Sequence, residues 1–230
     1  MKVIRHYEDF VSALQTAGFS MAGGRAAGIY SVIGFSWNEA PCWETAVRWH
    51  TGDPETDPWV WRMRLLEEKR AVAYGKFFFR QGGYITRDWY PCFLAARRGG
   101  MDFATAYQAG RFSQASRQIY RLIQEHGQVP LHEIRRLTGL AGPVIERALI
   151  DLQMGLFVTI SGEQQNIAPS GAARGWPSTV LCTTEAFWDE AVFAEAAAMT
   201  WQQASGQIAE QVRALNPAAS AARIARFIQG

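Results

Sequence analysis

Long apolar runs are missing from this sequence. No stretch of about 18 uninterrupted apolar residues is present to span a bilayer. The N-terminal segment, where Glu8 and Asp9 follow the first basic residues, lacks the apolar centre of a signal peptide. We therefore expect a cytoplasmic protein that does not enter a membrane.

Cysteine and histidine are also scarce. The three cysteines, Cys42, Cys92 and Cys182, are odd in number and far apart, which indicates neither a disulfide framework nor a clustered metal site. The four histidines show no ligand spacing on one helix face. We expect no metal and no cofactor, and we interpret the cysteines as buried thiols.

A large excess of charge of one sign is absent as well, since the net charge is only +2. With 48% hydrophobic residues, the chain has enough apolar surface to form a core, which excludes a disordered protein. The positive charge is uneven, however, because residues 61 to 99 contain nine bases and three acids. Aromatic residues are interleaved with these bases.

A basic segment with interleaved aromatic rings suits phosphates and unstacked bases. Within it, we select Arg62 and Lys76 as DNA contacts, and Trp61 and Trp89 as rings that stack on a base or wedge into the duplex. The alternative is that the aromatic residues, which recur at helical spacing, form a core. The basic residues would then lie on the solvated side of the same helices.

Residues 115 to 168 follow the order of a winged helix. The apolar spacing predicts a first helix that stops at Gly127, a second helix from Leu131 to Thr138, and a third from Pro143 to about Gly155. The third would be the recognition helix. The segment 156–160 predicts a strand, 161–163 a turn and 164–168 a short return strand, which together would form the wing.

Winged helices most often bind nucleic acid. In this module we select Arg135, Arg136 and Arg147 for phosphate contacts, and Gln164 and Gln165 for a groove edge. A DNA-binding module usually has a basic footprint, whereas five bases between residues 115 and 170 are offset here by five acids. The same fold also serves for dimerisation or protein docking, so both interpretations stay open.

The whole chain is predicted to be mainly α-helical with a short β wing. We divide it into a helical, aromatic and basic region (1–112), the winged-helix module (113–170) and a C-terminal helical segment packed on the body (171–230). A weak echo relates residues 83–89 to residues 127–133, each interpreted as a short strand before a helix. This echo is compatible with a degenerate second winged helix in the first region.

Several aromatic and structural motifs resemble a known family. They are Trp59-Val60-Trp61, Tyr74-Gly75-Lys76-Phe77-Phe78, Gly83-Tyr84-Ile85, Pro91-Cys92-Phe93-Leu94-Ala95, Ala109-Gly110-Arg111, Gly175-Trp176 and Leu215-Asn216-Pro217. With the winged helix, they make most of the chain from about residue 43 onward similar to the AlkZ-related (YcaQ-like) proteins. The parent group contains bacterial DNA glycosylases, built from winged-helix modules, that remove alkylated bases and unhook interstrand crosslinks. The resemblance implies a partner of double-stranded DNA that is damaged or distorted.

The catalytic motif of those glycosylases is missing. AlkZ-type enzymes use Gln-x-Gln or Gln-x-Asp to position a water against the N-glycosidic bond, and no glutamine here has a glutamine or an aspartate two residues later. If the chain is an enzyme, the resemblance implies an N-glycosidic hydrolase with unknown catalytic residues. Glu44, Asp53 and Asp57 are carboxylates near the basic segment, but their spacing singles out none of them.

Two functions from different classes therefore remain. The first is a winged-helix DNA-binding protein related to AlkZ-type glycosylases, which the basic aromatic segment favours. The second is a protein-interaction module, or an enzyme on a small nucleoside-like substrate, that does not bind DNA. The balanced charge of the winged-helix module favours the second function.

Overall fold

A computed structural model describes residues 3–24, 28–41, 43–165 and 175–230 of the chain. They form two compact units. Unit 1 consists of Met1–Gly100 together with Ala191–Gly230, and unit 2 consists of Met101–Glu190. The predicted boundary at residue 170 lies outside the described residues. Within the described ranges, no helix combines the length and the apolar character that crossing a bilayer requires.

The chain alternates helices with short strands. The first half contains α1 (Tyr7–Ala17), β1 (Phe19–Met21), α2 (Pro58–Glu67), β2 (Val72–Phe78), β3 (Gln81–Thr86), α3 (Tyr90–Arg98) and α4 (Phe103–Gln108). The second half contains α5 (Gln114–His126), β4 (Gln128–Pro130), α6 (Leu131–Thr138), α7 (Gly142–Met154), β5 (Val158–Gln164), β6 (Ser178–Thr183), α8 (Thr184–Phe187), α9 (Glu190–Ala197), α10 (Trp201–Leu215) and α11 (Ala221–Gln229). The architecture is thus helical with short antiparallel strands.

The strands of unit 1 correct the prediction of a helical N-terminal region. β3 pairs antiparallel with β1 on one side and with β2 on the other. Phe79 and Arg80 form the turn of the β2–β3 hairpin, with φ of 50° and 65°. Two successive residues with positive φ give a turn whose twist matches that of a hairpin. The aromatic residues of 72–78 therefore lie on a strand, because pairing with β3 overrides their helical spacing.

Aromatic side chains fill the core of unit 1. Trp61 is 0% exposed and its ring stacks on Phe10 with the centroids 5.2 Å apart. Phe227 of α11 stacks on Phe78 of β2 at 4.2 Å and meets Phe93 of α3 edge-on at 5.8 Å. The interpretation of these aromatic residues as core is confirmed, although much of that core rests on strands rather than on helices.

The C-terminal helices are fixed by hydrogen bonds at their ends. Thr200 and Gln203 form a reciprocal capping box at the start of α10. At the other end of α10, the Asn216 side-chain amide donates to the carbonyl oxygen of Ile29 at 2.7 Å. α10 packs on α3 and on α11, so the last part of the chain belongs to the core of unit 1.

The helices predicted in unit 2 are confirmed. α5, α6 and α7 cover a common core with β4, β5 and β6, and Ile119, Ile134 and Leu152 are fully buried in it. Gly127 and Gly139, with φ of 79° and 64°, end α5 and α6. β6 pairs antiparallel with β4 on one side and with β5 on the other.

The predicted wing is wrong in its details. β5 continues through the predicted turn at 161–163, because a bulge between Ile160 and Gly162 absorbs the irregularity without ending the strand. Residues 166–168 of the predicted return strand lie outside the described residues. The strand that pairs with β5 is β6, with Val158 opposite Thr183.

Strand pairing follows the same order in both units. The last strand lies between the two earlier ones, β3 between β1 and β2 in unit 1, and β6 between β4 and β5 in unit 2. The predicted equivalence of residues 83–89 and 127–133 is wrong. Gly83 belongs to the last strand of unit 1 and follows β2 rather than a helix, whereas Gln128 begins the first strand of unit 2.

Candidate nucleic-acid surface

A buried carboxylate organises the loop before α2. Asp57 is 0% exposed and accepts backbone hydrogen bonds from His50 at 3.0 Å, Gly52 at 2.8 Å and Trp59 at 2.8 Å. It is also the N-cap of α2. Because its oxygens already accept three N–H groups, Asp57 is a structural residue of this turn and not a free catalytic carboxylate.

The turn held by Asp57 belongs to a group of four aromatic side chains, which we call the aromatic surface: Trp37, Trp49, His50 and Trp59. The centroid of the His50 ring lies 4.9 Å from that of Trp59, 6.3 Å from Trp49 and 6.5 Å from Trp37. Trp37 is 71% exposed and Trp59 is 42% exposed. Large apolar rings grouped in solvent mark a candidate binding surface.

Arg62 adds a positive charge to the aromatic surface. Its guanidinium carbon lies 3.5 Å from the centroid of the Trp59 ring and 6.0 Å from that of Tyr74. Its Nε donates to the carbonyl oxygen of Trp59 at 2.8 Å. Among the described residues, no carboxylate forms an ion pair with Arg62. The terminal amino groups are thus available to an anionic ligand.

Two backbone segments support the tryptophans. A Cβ atom at Gly23 would lie 2.7 Å from the ring of Trp49, so this position accepts only glycine without a shift of the ring. The Glu39 carboxylate accepts the N–H of Ser36 at 2.8 Å and closes the turn that carries Trp37. The rings of the aromatic surface therefore project from a supported backbone.

The predicted DNA contacts of unit 1 lie in different environments. Arg62 belongs to the aromatic surface, as described above. Trp61 is in the core, and its selection as a stacking or wedging residue is corrected because a buried ring cannot reach a base. Trp89 is half-buried, with its ring edge-on to Phe19 at 5.3 Å, and Lys76 is half-buried on β2.

The predicted contacts of unit 2 lie largely in solvent. Arg135, Arg136 and Arg147 are exposed, and Gln164 is exposed at the end of β5. The Arg136 guanidinium donates to the Glu133 carboxylate at 2.6 and 2.9 Å and lowers the pKa of that carboxyl group. Gln165 donates from Nε2 to the carbonyl oxygen of Gly175 at 3.0 Å.

Trp37, His50 and Trp59 were not predicted as binding residues. The available signal was the density of tryptophan, because Trp37, Trp43, Trp49 and Trp59 are four of the nine tryptophans in the sequence. They occur in a segment rich in turn formers, where a regular core element is not expected. A tryptophan in such a segment is a better candidate for exposure than one in a periodic helix.

Reactive thiols and metal ligands do not contribute to a site in the part of the chain that the structure describes. No group of three or more histidine, cysteine or acidic side chains there is arranged to hold a metal ion. Burial raises the pKa of the Cys92 thiol, and it raises that of Cys182 to about 12. Both thiols are therefore protonated and weakly nucleophilic at neutral pH.

Comparison with known protein families gives a match over residues 4–229, to a family described as AlkZ related. No curated protein and no solved structure matches the chain significantly. The family match spans the aromatic surface and both units, and it confirms the resemblance drawn from the sequence motifs. The chain therefore belongs to the AlkZ-related family.

Proposed function

We propose that this protein binds duplex DNA and prefers damaged or distorted sites at which a base is unstacked. The observation that carries this proposal is the stack of Arg62 on the exposed ring of Trp59, 3.5 Å from guanidinium carbon to ring centroid. Membership in a family related to DNA glycosylases supports the same partner.

The chemistry of the aromatic surface suits an unstacked nucleotide. A base that leaves the duplex stack exposes a flat π-face, and stacking on an aromatic side chain contributes about 1–3 kcal/mol per base. The terminal N–H groups of Arg62 lie beside the Trp59 ring, where they can donate to a neighbouring phosphate. An intact duplex offers no free base face, so a distorted duplex is the better ligand.

We further propose that both units are winged helices. In unit 2, the order α5, β4, α6, α7, β5, β6 and the pairing of β4 with β6 support this fold. In unit 1, the order α1, β1, α2, β2, β3 repeats the pattern without a counterpart of α7 among the described residues. A degenerate winged helix in unit 1 accounts for the strand order that the two units share, in which the last strand lies between the two earlier ones. In unit 2 the proposed winged helix extends beyond residue 170, since β6 (Ser178–Thr183) supplies the strand that pairs with β4 and β5.

Binding rather than base release is the proposed activity. Base release by the AlkZ-type route needs a Gln-x-Gln or Gln-x-Asp pair, which this sequence lacks. Asp57, whose carboxylate accepts from the backbone of His50 and Trp59 in the aromatic surface, is held by three backbone N–H groups in all.

Protein docking by unit 2 is a second candidate function. Leu137 at the end of α6 is 42% exposed, and Val144 near the start of α7 is 43% exposed. The three arginines of α6 and α7, Arg135, Arg136 and Arg147, are offset by Glu133, Glu146 and Asp151, so these two helices carry no net charge. If this face docks protein, Leu137→Ser with Val144→Ser abolishes a concentration-dependent association seen by sedimentation velocity and leaves DNA binding unchanged.

The test of the main proposal is fluorescence anisotropy of a labelled duplex, either intact or with one abasic site, at low and at physiological salt. We expect tighter binding to the abasic duplex and an affinity that falls steeply as salt rises, because phosphate contacts release counterions. Absence of binding to both duplexes at low salt contradicts the proposal. Equal affinity for the two duplexes contradicts the preference for unstacked bases.

A further inference from the structure

The tip of the β2–β3 hairpin lies against two arginines of α11. The guanidinium carbon of Arg223 is 5.1 Å from the centroid of the Phe79 ring, and that of Arg226 is 5.8 Å from it. The ring of Phe227 lies 6.2 Å from the same ring. We call Phe79, Arg80, Arg223 and Arg226 the hairpin cluster. Arg80 is the second residue of the turn and is exposed.

The positive charge of the two α11 arginines is not neutralised. Both are exposed, and among the described residues neither forms an ion pair with a carboxylate. α11 itself, with the sequence AARIARFIQ, contains no acid. By contrast, Arg64 and Arg70 of the same unit pair with Glu68 at 2.7 and 2.6 Å. The hairpin cluster is therefore a local excess of positive charge within unit 1.

The ring of Phe79 holds these charges in place. An arginine within about 6 Å of an aromatic face is attracted by the ring quadrupole, and its N–H groups at the rim remain free for an acceptor. Phe79 keeps its position despite a φ of 50°, a conformation that is unfavourable for a side chain of this size. The two-residue hairpin turn requires positive φ at both of its central residues, and it thereby fixes the Phe79 ring at the tip.

The cluster also lies beside Gly28. A Cβ atom at Gly28 would lie 3.8 Å from Nε of Arg223. The side chain of Arg223 thus has glycine backbone on one side and the Phe79 ring on the other. Because glycine has no side chain, this side of the Arg223 guanidinium is not covered by one at position 28.

We infer that the hairpin cluster is a contact site for the sugar–phosphate backbone of duplex DNA, with Arg223 and Arg226 each donating to a phosphate. This inference rests on the proposed DNA binding and assigns part of its electrostatic component to α11. Duplex DNA fits the site because guanidinium groups bind phosphate oxygens in a planar fork. In addition, neither the four described residues of the cluster nor α11 includes an acid that would repel a polyanion.

The experiment measures the salt dependence of anisotropy for the full chain on an intact duplex. The double α11 variant, Arg223→Ala and Arg226→Ala, is compared with a control double variant, Arg5→Ala and Lys69→Ala. Both variants remove two positive charges. Arg5 precedes α1, and Lys69 lies at the opposite end of β2 from the turn. The slope of log K against log salt is negative, and each lost phosphate contact reduces its magnitude by about 0.9. The double α11 variant should therefore reduce the magnitude by about 1.8. The control variant leaves the slope within about 0.5 of the original value.

The outcomes separate this inference from the proposed function. If the unmodified protein does not bind DNA at low salt, the proposed function fails and the inference fails with it. If the unmodified protein binds but both variants change the slope equally, only the inference is overturned. If the double α11 variant binds DNA normally but loses binding to a labelled polyglutamate peptide, the cluster serves an acidic protein segment and the inference is likewise overturned. Circular dichroism and thermal unfolding establish that each variant is folded.

Discussion

The guanidinium of Arg97 donates from Nε to the carbonyl oxygen of Ile228 at 2.8 Å, and this bond ties α3 to the end of α11. The same side chain donates to the backbone carbonyl oxygen of Phe227 at 2.8 Å and to that of Phe77 at 2.7 Å. Arg97 is only 5% exposed, and burial lowers the pKa of its guanidinium. The carbonyl groups at the C-terminal end of a helix carry partial negative charge, which favours a cation there.

Replacing Arg97 by methionine tests this role. The variant keeps much of the volume but leaves three buried carbonyl oxygens without their donor, so we expect a loss of roughly 3 kcal/mol or more in the free energy of unfolding. Urea denaturation followed by circular dichroism measures it. The matched change Arg213→Met, at an exposed position of α10, should alter stability by less than about 0.5 kcal/mol. Equal effects from the two variants contradict the role assigned to Arg97.

The lowered pKa of the Glu68 carboxyl group predicts a loss of stability in acid. Hydrogen bonds from Arg64 and then from Arg70 lower the pKa of this carboxyl group from 4.5 to about 2. A carboxyl pKa that is lower in the folded state contributes stability that is fully present above its unfolded value and is lost as the pH falls toward the folded value. Between about pH 5 and pH 2, the original protein should therefore lose more stability than Glu68→Gln. Thermal unfolding across this range checks it, and parallel curves count against the prediction.

Gly18 and Trp89 form a close contact that only glycine permits. A Cβ atom at Gly18 would lie 2.1 Å from the Trp89 ring, and the φ of 85° is itself unfavourable for other residues. Gly139 is the matched control, since it also ends a helix at positive φ but has no atom within 4 Å of a Cβ position. We expect Gly139→Ala to cost about 1 kcal/mol, and Gly18→Ala to cost about 2 kcal/mol more than that. Chemical denaturation of both variants provides the comparison.

The helical part of unit 2 follows from local sequence, whereas the sheet of unit 1 does not. The apolar spacing of α5 and α6 indicates where each helix runs, and Gly127 and Gly139 end them. All of these signals are local in the sequence. β2 and β3 depend instead on pairing with each other and with β1, residues 19–21, more than 50 residues earlier in the chain. Single-segment periodicity contains no information on such pairing.

The candidate site shows the same limit. Arg62 was identified because positive charge is visible in a sequence, but its partner Trp59 was not. Trp61 was selected instead, since two tryptophans separated by one residue look alike in composition. Only the packing of α2 separates them, with Trp61 against Phe10 and Trp59 in solvent.

Trp59 should account for much of the preference for an unstacked base. Trp59→Ala removes one stacking face, and we expect a loss of roughly 5- to 150-fold in affinity for an abasic duplex, from about 1–3 kcal/mol per stacked base. Affinity for the intact duplex should change less. Trp201→Ala, which removes another exposed tryptophan at 51% exposure, is the control. A loss of similar size from the control contradicts the assignment to the aromatic surface.

Unit 2 contributes to DNA binding only if its arginines reach phosphates. In that case the double variant Arg136→Ala, Arg147→Ala reduces the magnitude of the slope of log K against log salt by up to about 1.8. Glu133→Gln provides the opposite test, because it releases Arg136 from its ion pair and should strengthen binding. Anisotropy titrations at three salt concentrations measure both effects. If neither variant changes DNA binding, a contribution of unit 2 to that binding is contradicted, and protein docking is then its candidate function.

The stacking of Phe227 on Phe78 affects the order in which the protein folds during synthesis. Unit 1 is made from two stretches of chain separated by the whole of unit 2. Residues 101–190 have left the ribosome before α11 exists, so unit 2 can complete its core while the Phe78 face of unit 1 is still uncovered. Since domains fold as units when their residues emerge, the packing of Phe227 on Phe78 can form only after the whole of unit 2 has been translated.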